Sequence, residues 1–318
     1  MDFDGLFSRA DALAAGVTDG QLRRARLRGE LVAVRPGAYV TAAHLGTLDS
    51  EQQHLLLARS MSGERSLLLS HQSAAIAWGM DVWGLPLARV HVTSGRSIAA
   101  KTSRRRIVHG TAVESVECTS HQGLSLTTPA RTVVDIARST DFEHAVCVGD
   151  SALRRGLVTI RELEDAVALA TYRSGVRNAA EAVAAMTDRS ESVGETRSRL
   201  ILVAAGLSPL LNQSVFDAVG RFLGRVDFLF AGPWVCCEFD GHGKYGQRPT
   251  EVRKNVLAEK QREDRIRDVG WSFARWGWSD LANPEELVNR VRHALARASR
   301  LPEPEGTFHA DLLPRCAR

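Results

Sequence analysis

The chain has 318 residues, 44% of them hydrophobic and 25% charged, with a formal net charge of +4; this suits a soluble protein of two or three domains, and the mild basicity permits a nucleic-acid partner without requiring one. No apolar run approaches the 18 or so residues of a membrane span, and residues 1–30 lack a signal core, so a cytoplasmic chain with no membrane partner is expected. The five cysteines (Cys118, Cys147, Cys236, Cys237 and Cys316) are odd in number and show no C-x-x-C spacing, which argues against a disulfide framework or a zinc site built on them.

Residues 5–40 predict two short helices and a hairpin. Ser8 can cap a helix through Ala15, Gly16 ends it, and Thr18 caps a second helix through Arg28. The second carries Arg23, Arg24, Arg26 and Arg28, donors for phosphate oxygens or guanine edges. Leu31–Arg35 and Ala38–Val40 flank Pro36-Gly37 and read as the two strands of a wing. The runs Leu13-Ala14-Ala15-Gly16-Val17-Thr18, Leu22-Arg23-Arg24 and Arg35-Pro36-Gly37-Ala38-Tyr39 resemble the winged-helix N-terminal domain of AbiEi-type antitoxins of type IV toxin–antitoxin systems. That resemblance implies DNA docking through Arg23, Arg24, Arg26, Arg28 and Arg35, with a toxin or other protein as a further partner. Asp11, Asp19 and Glu30 dilute the charge, and winged helices also serve as protein-contact modules.

In the middle section, Ser50–Arg59 and Ser70–Gly79 read as helices, and Val90–Thr93 and Arg106–His109 as strands. Ser125–Thr127 leads into a helix capped by Thr128 with Pro129 at its first position. The pattern Ser70-His71-Gln72-Ser73-Ala74-Ala75, then Thr127-Thr128-Pro129-Ala130-Arg131-Thr132-Val133-Val134-Asp135, resembles the second domain of the same antitoxin-like family, which implies no catalytic residue. His71 beside a helix cap reads as a structural, hydrogen-bonding residue. Lys101 with Arg104, Arg105 and Arg106 is a cationic cluster that suits either a DNA backbone or solvent. Helices are expected within Ala145–Tyr172, turning at Arg155-Gly156, and within Arg173–Thr187.

After the polar segment 187–192, acids appear inside segments patterned as core. Glu195 opens an amphipathic helix, Asp227 lies in an apolar strand, and Glu238 and Asp240 close another. Buried carboxylates need a cation. Residues two apart on a strand share a face, and the short link Ala231-Gly232-Pro233 suits a hairpin that brings Asp227 beside Glu238 and Asp240. A hard dication such as Mg²⁺ would suit such oxygens. Beyond this, residues 252–268 have helical spacing, Trp271–Trp276 reads as a strand and Pro284–Arg297 as a helix, with a loose tail from Pro302.

The order of Glu195, Gln213, Asp227, Glu238-Phe239-Asp240-Gly241, Glu259-Lys260, Arg262-Glu263, Arg265, Gly270-Trp271 and Arg275-Trp276 resembles the PD-(D/E)XK nuclease superfamily, in its branch related to very-short-patch-repair endonucleases. The resemblance covers residues 190–300. It implies Mg²⁺ (or Mn²⁺) held by Asp227, Glu238 and Glu195, with Gln213 orienting substrate or a ligand. It departs from the superfamily at Asp240, where lysine is usual. Lys244 is the first candidate for positioning water or phosphate and Lys260 the second, with Asp240 adding charge or an outer hydrogen bond.

The expected fold is therefore α+β and multidomain. Residues 1–48 form a winged helix-turn-helix, 49–188 a mixed α/β antitoxin-like domain, and 189–300 a restriction-endonuclease-like α/β/α domain, with 301–318 loose. The expected function is DNA binding with Mg²⁺-dependent phosphodiester hydrolysis. The alternative is a non-catalytic transcriptional regulator or antitoxin-like protein with a degenerate nuclease fold, which the missing lysine favours.

Overall fold

The computed structural model describes residues 5–61, 67–95, 99–241 and 260–310, and the chain forms two compact units, Met1–Met186 and Thr187–Arg318.

The first unit begins with β1 (Phe7–Ser8), α1 (Arg9–Ala14), α2 (Asp19–Leu27), β2 (Leu31–Arg35) and β3 (Ala38–Thr41). Both helices start on capping boxes, Ser8 with Asp11 and Thr18 with Gln21, which satisfy amide groups that no helical carbonyl can reach. Gly16, at φ +80°, makes the turn between the helices, and Gly37, at φ +76°, makes the turn of the wing. The three strands form one sheet in the order β1-β3-β2. Its core of Phe7, Ala12, Leu22, Ala25, Leu31 and Tyr39 leaves the rest of α2 outside.

Next come α3 (Ala42–Thr47), α4 (Ser50–Met61), β4 (Leu68–Leu69), α5 (His71–Ala77), β5 (Val90–Gly95), β6 (Lys101–Thr102), β7 (Arg106–Ala112), β8 (Cys118–His121) and β9 (Leu124–Thr127). The six strands order as β6-β7-β5-β4-β9-β8, with β5 and β7 parallel. The unit then turns helical with α6 (Pro129–Ser139), α7 (Phe142–Arg154), α8 (Ile160–Leu169) and α9 (Val176–Ala185). Thr128 caps α6 and Pro129 opens it. Inside, Arg131 is 2% exposed and is held by Glu117 and Asp135, each at 2.7 Å.

The second unit runs α10 (Val193–Ala204), β10 (Leu210–Asp217), β11 (Phe222–Phe230), β12 (Val235–Asp240), a helix α11 described over residues 260–268, β13 (Ser272–Gly277), α12 (Pro284–Ala298) and β14 (Gly306–Ala310). Its five-stranded sheet is ordered β13-β12-β11-β10-β14; β10, β11 and β12 are successively antiparallel, and β13 joins β12 in parallel. Alternation along β12 sends Cys237 into a core with Leu202 of α10 and Val291 of α12. Cys236 enters a second core with Ile266 of α11 and Trp271. The sheet is thus covered on both faces.

One expectation changes. The stretch after Pro302 is not loose throughout, because β14 pairs along the edge of β10 from Gln213↔Ala310 to Asp217↔Gly306. Trp271 and Trp276, aromatic rings suited in principle to stacking on bases, are each only 2% exposed. Trp276 donates from Nε1 to Ser198 Oγ at 2.7 Å, joining β13 to α10.

Candidate functional site

On α2, buried Leu22 and Ala25 fix which side of the helix meets the core. At 100° per residue the opposite stripe is Gly20, Arg23, Arg24 and Leu27, and Leu27 is 77% exposed. Arg23, Arg24 and Arg26 are exposed and have no acidic partner among the described residues. The other two predicted DNA contacts are engaged. Arg28 pairs with Glu30 at 2.7 Å, and Arg35 donates to the carbonyls of Ser60 and Pro36. Arg23 and Arg24, around a glycine, are thus the cations at the centre of the outward stripe. In the cluster near Lys101, that lysine falls on β6 and Arg106 opens β7.

In the second unit, Gly194 brings α10 against β12, since a Cβ there would stand 1.9 Å from the ring of Phe239. The next residue, Glu195, is buried. It accepts from the Glu191 N–H at 2.8 Å and the Ser192 hydroxyl at 2.9 Å. Across from it, Asp227 Oδ2 accepts the backbone N–H of Phe239 at 2.8 Å. Burial, and then the charge of Glu195, push Asp227 up to about 7. Desolvation and a neighbouring anion both disfavour the ionised form, opposed by the Phe239 N–H and the charge of Arg262. β10 is irregular here: Asn212, between the register pairs Leu211↔Phe228 and Gln213↔Val226 and so opposite Asp227, has φ +50°.

Glu238 is placed differently. It follows Cys237 and so faces the α11 side, where Arg262 holds one oxygen at 2.8 Å and Arg275 holds the other. Arg275 continues to Glu263 at 2.9 Å, and Glu263 pairs with Arg267. This alternating chain fastens α11 to β12 and β13. Burial raises the Glu238 carboxyl above its usual range, opposed by the two arginines. Gln213 is buried and donates to its own strand at Leu211, whereas Asp240 and Lys260 are exposed. Lys244 and Glu259 lie outside the described residues.

Glu195 is thus near enough for its charge to act on Asp227, and Glu238 is held by two guanidiniums. Among the described residues, the one group of three metal-capable side chains with all ligand atoms within 4.8 Å is a different one, His71, His91 and His109. Sequence reading passed over it because its members lie on three separate elements. The available signal was the concentration of histidine on the helix start and two strands of a single stretch.

Residues 3–42 match the family described as "Transcriptional regulator, AbiEi antitoxin". Two uncharacterized proteins of Mycobacterium tuberculosis, MT2308 and Rv2248, are each 29% identical to this chain over 177 residues. That stretch is 55% of this chain and 64% of each relative, so the chain spans a little under two thirds of these curated relatives. No helix among the described residues is long and apolar enough to cross a membrane. The N-terminal segment, built as a winged helix, is thus similar over residues 3–42 to an AbiEi antitoxin-type regulator domain.

Proposed function

We propose that this protein is a DNA-binding regulator that docks on duplex DNA through α2, with a toxin or other protein as a further partner. The carrying observation is the outward stripe of α2, where exposed Arg23 and Arg24 flank Gly20 while Leu22 and Ala25 anchor the helix. A glycine lets backbone approach backbone, and two adjacent guanidiniums suit phosphates or guanine edges. The test is fluorescence anisotropy of the full chain on duplex DNA across a salt series. Arg23→Ala with Arg24→Ala should weaken binding at least tenfold and shallow the salt slope by about one to two. An unchanged affinity would remove the winged helix from DNA recognition.

A second reading, a metal-dependent endonuclease of the PD-(D/E)XK kind, has its own support. The second unit runs helix, three antiparallel strands, helix, parallel strand, and it sets Glu195 beside an Asp227 that is costly to ionise. These two carboxylates fit a hard cation such as Mg²⁺ or Mn²⁺, because a dication would relieve their repulsion. Glu238, the third predicted ligand, fits only after release from Arg262 and Arg275. The bound ion would supply polarisation of a phosphodiester. Asp227 and Glu195 would hold it. Plasmid incubated with the protein and Mg²⁺ or Mn²⁺ decides this reading. Cutting lost in Asp227→Asn supports it, and no cutting by folded wild-type protein leaves the regulator alone.

A further inference from the structure

We propose that His71, His91 and His109 form a binding site for one divalent transition-metal ion of the Zn²⁺ class. The site lies in the first unit, apart from the arginines of α2, and rests on its own geometry.

His91 and His109 come from the adjacent parallel strands β5 and β7. The register Thr93↔His109 puts them on the same face of the sheet, since His91 is two residues from Thr93. Across that face sits His71, at the first position of α5. Its ring lies face to face with His109 at 3.7 Å between centroids and 5.6 Å from His91, so it must rotate about its side-chain bonds to aim a lone pair at an ion shared with the two strand histidines. One ligand atom from each of the three lies within 4.8 Å of the others. His91 Nδ1 and His109 Nε2 are 3.1 Å apart, close to the roughly 3.3 Å between two nitrogens of a tetrahedral site with bonds of about 2.0–2.1 Å.

The surroundings hold these rings in place as metal sites require. Ser70, the residue before α5, makes no cap hydrogen bond with its side chain. Its hydroxyl lies 3.0 Å from His71 Nδ1 instead, which leaves Nε2 as the outward nitrogen. Ser73 Oγ accepts the His91 backbone N–H at 2.7 Å and lies 2.8 Å from His54 Nε2, so β5 is tied to α5 beside the cluster. His71 itself has φ +50°, a conformation that costs a non-glycine residue about 1 kcal/mol or more and is kept only where the surroundings demand it.

Three imidazoles with no thiolate select borderline divalent ions, among which Zn²⁺, Co²⁺, Ni²⁺ and Cu²⁺ suit nitrogen donors. Three protein ligands also leave a coordination position for water or an anionic group. His91 and His109 are only half-buried, which provides an entry path.

The experiment is dialysis of the full chain against ZnCl₂ with metal analysis, and against CoCl₂ with visible spectroscopy. About one Zn²⁺ per chain is expected, with Co²⁺ bands of a low-coordinate nitrogen site. His91→Ala and His109→Ala should each bind at least tenfold more weakly and lose the bands. His121→Ala, whose ring stacks on Trp78, should bind like the wild type. Where a variant fails to fold, the wild type decides: Zn²⁺ should protect His91 and His109 from diethyl pyrocarbonate, read by peptide mass spectrometry. Less than about a tenth of an ion per folded chain, affinity unchanged in folded variants, or no protection would overturn the site.

Discussion

The backbone N–H of Phe239 donates to Asp227 Oδ2 at 2.8 Å, so the carboxyl on β11 is fastened across the sheet to β12 with the charge of Glu195 close by. Burial and that charge hold Asp227 up at about 7 against an ordinary 3.8. The folded state therefore binds the proton more tightly than the unfolded chain. Stability that is full below about pH 4 is lost as pH rises through about 7. Denaturant titrations at pH 5 and pH 8 should show the wild type losing on the order of 2 kcal/mol. Asp227→Asn, which still offers Phe239 an acceptor, should flatten that loss. A pH profile unchanged by the substitution would contradict the assignment.

Gly194 is the residue that allows Glu195 to stand where it does. Gly194→Ala would drive a methyl group into the Phe239 ring, from a Cβ position only 1.9 Å away. Overpacking of this kind costs about 1–3 kcal/mol. Thermal unfolding should register it, and the raised titration of Asp227 should relax toward the ordinary range as α10 moves off β12.

Glu30 holds Arg28 at 2.7 Å on an exposed surface, where the pair contributes little to stability. Glu30→Gln should therefore leave the melting temperature within a degree or two and release Arg28 beside the stripe of α2. Affinity for duplex DNA at low salt is expected to rise a few-fold. Arg28→Ala should by contrast change DNA binding far less than Arg23→Ala.

Within the first unit, Glu117 takes Arg173 at 2.8 Å and Arg131 at 2.7 Å. Burial alone would raise its carboxyl; the hydrogen bonds from Arg173 and the Glu114 N–H, with the charge of Arg131, outweigh it and bring it down to about 2. Its contribution is present above about pH 4.5 and disappears as pH falls toward 2. Glu117→Gln should destabilise the chain at pH 7 by about 2–4 kcal/mol, since Arg131 is left buried with half its partners. The same variant should weaken the acid dependence between pH 4.5 and pH 2.

What could be read from sequence was local. Ser8, Thr18 and Thr128 announce their helices because a cap and the amide it satisfies lie within three residues of each other. The strands bearing Asp227 and Glu238 were visible as apolar runs, and so was the hairpin between them. The partners were not visible. Glu238 reads as a ligand until Arg262 and Arg275, 24 and 37 positions further on, close over it. The histidine cluster depends on a register between β5 and β7 that no local pattern specifies. β14 escaped for a similar reason: Gly306–Ala310 has little strand character of its own and is ordered by the edge it joins.

That last strand has a bearing on how the protein can be handled. By occupying the flank of β10 it shields a row of peptide groups that would otherwise be available to any extended chain, and unshielded rows of this kind recruit neighbouring molecules. Trimming the chain before Gly306, or fusing a bulky tag close behind Ala310, would turn a self-contained sheet into a sticky one. Self-association would then rise with concentration without any change in the acidic pair or in the arginines of α2.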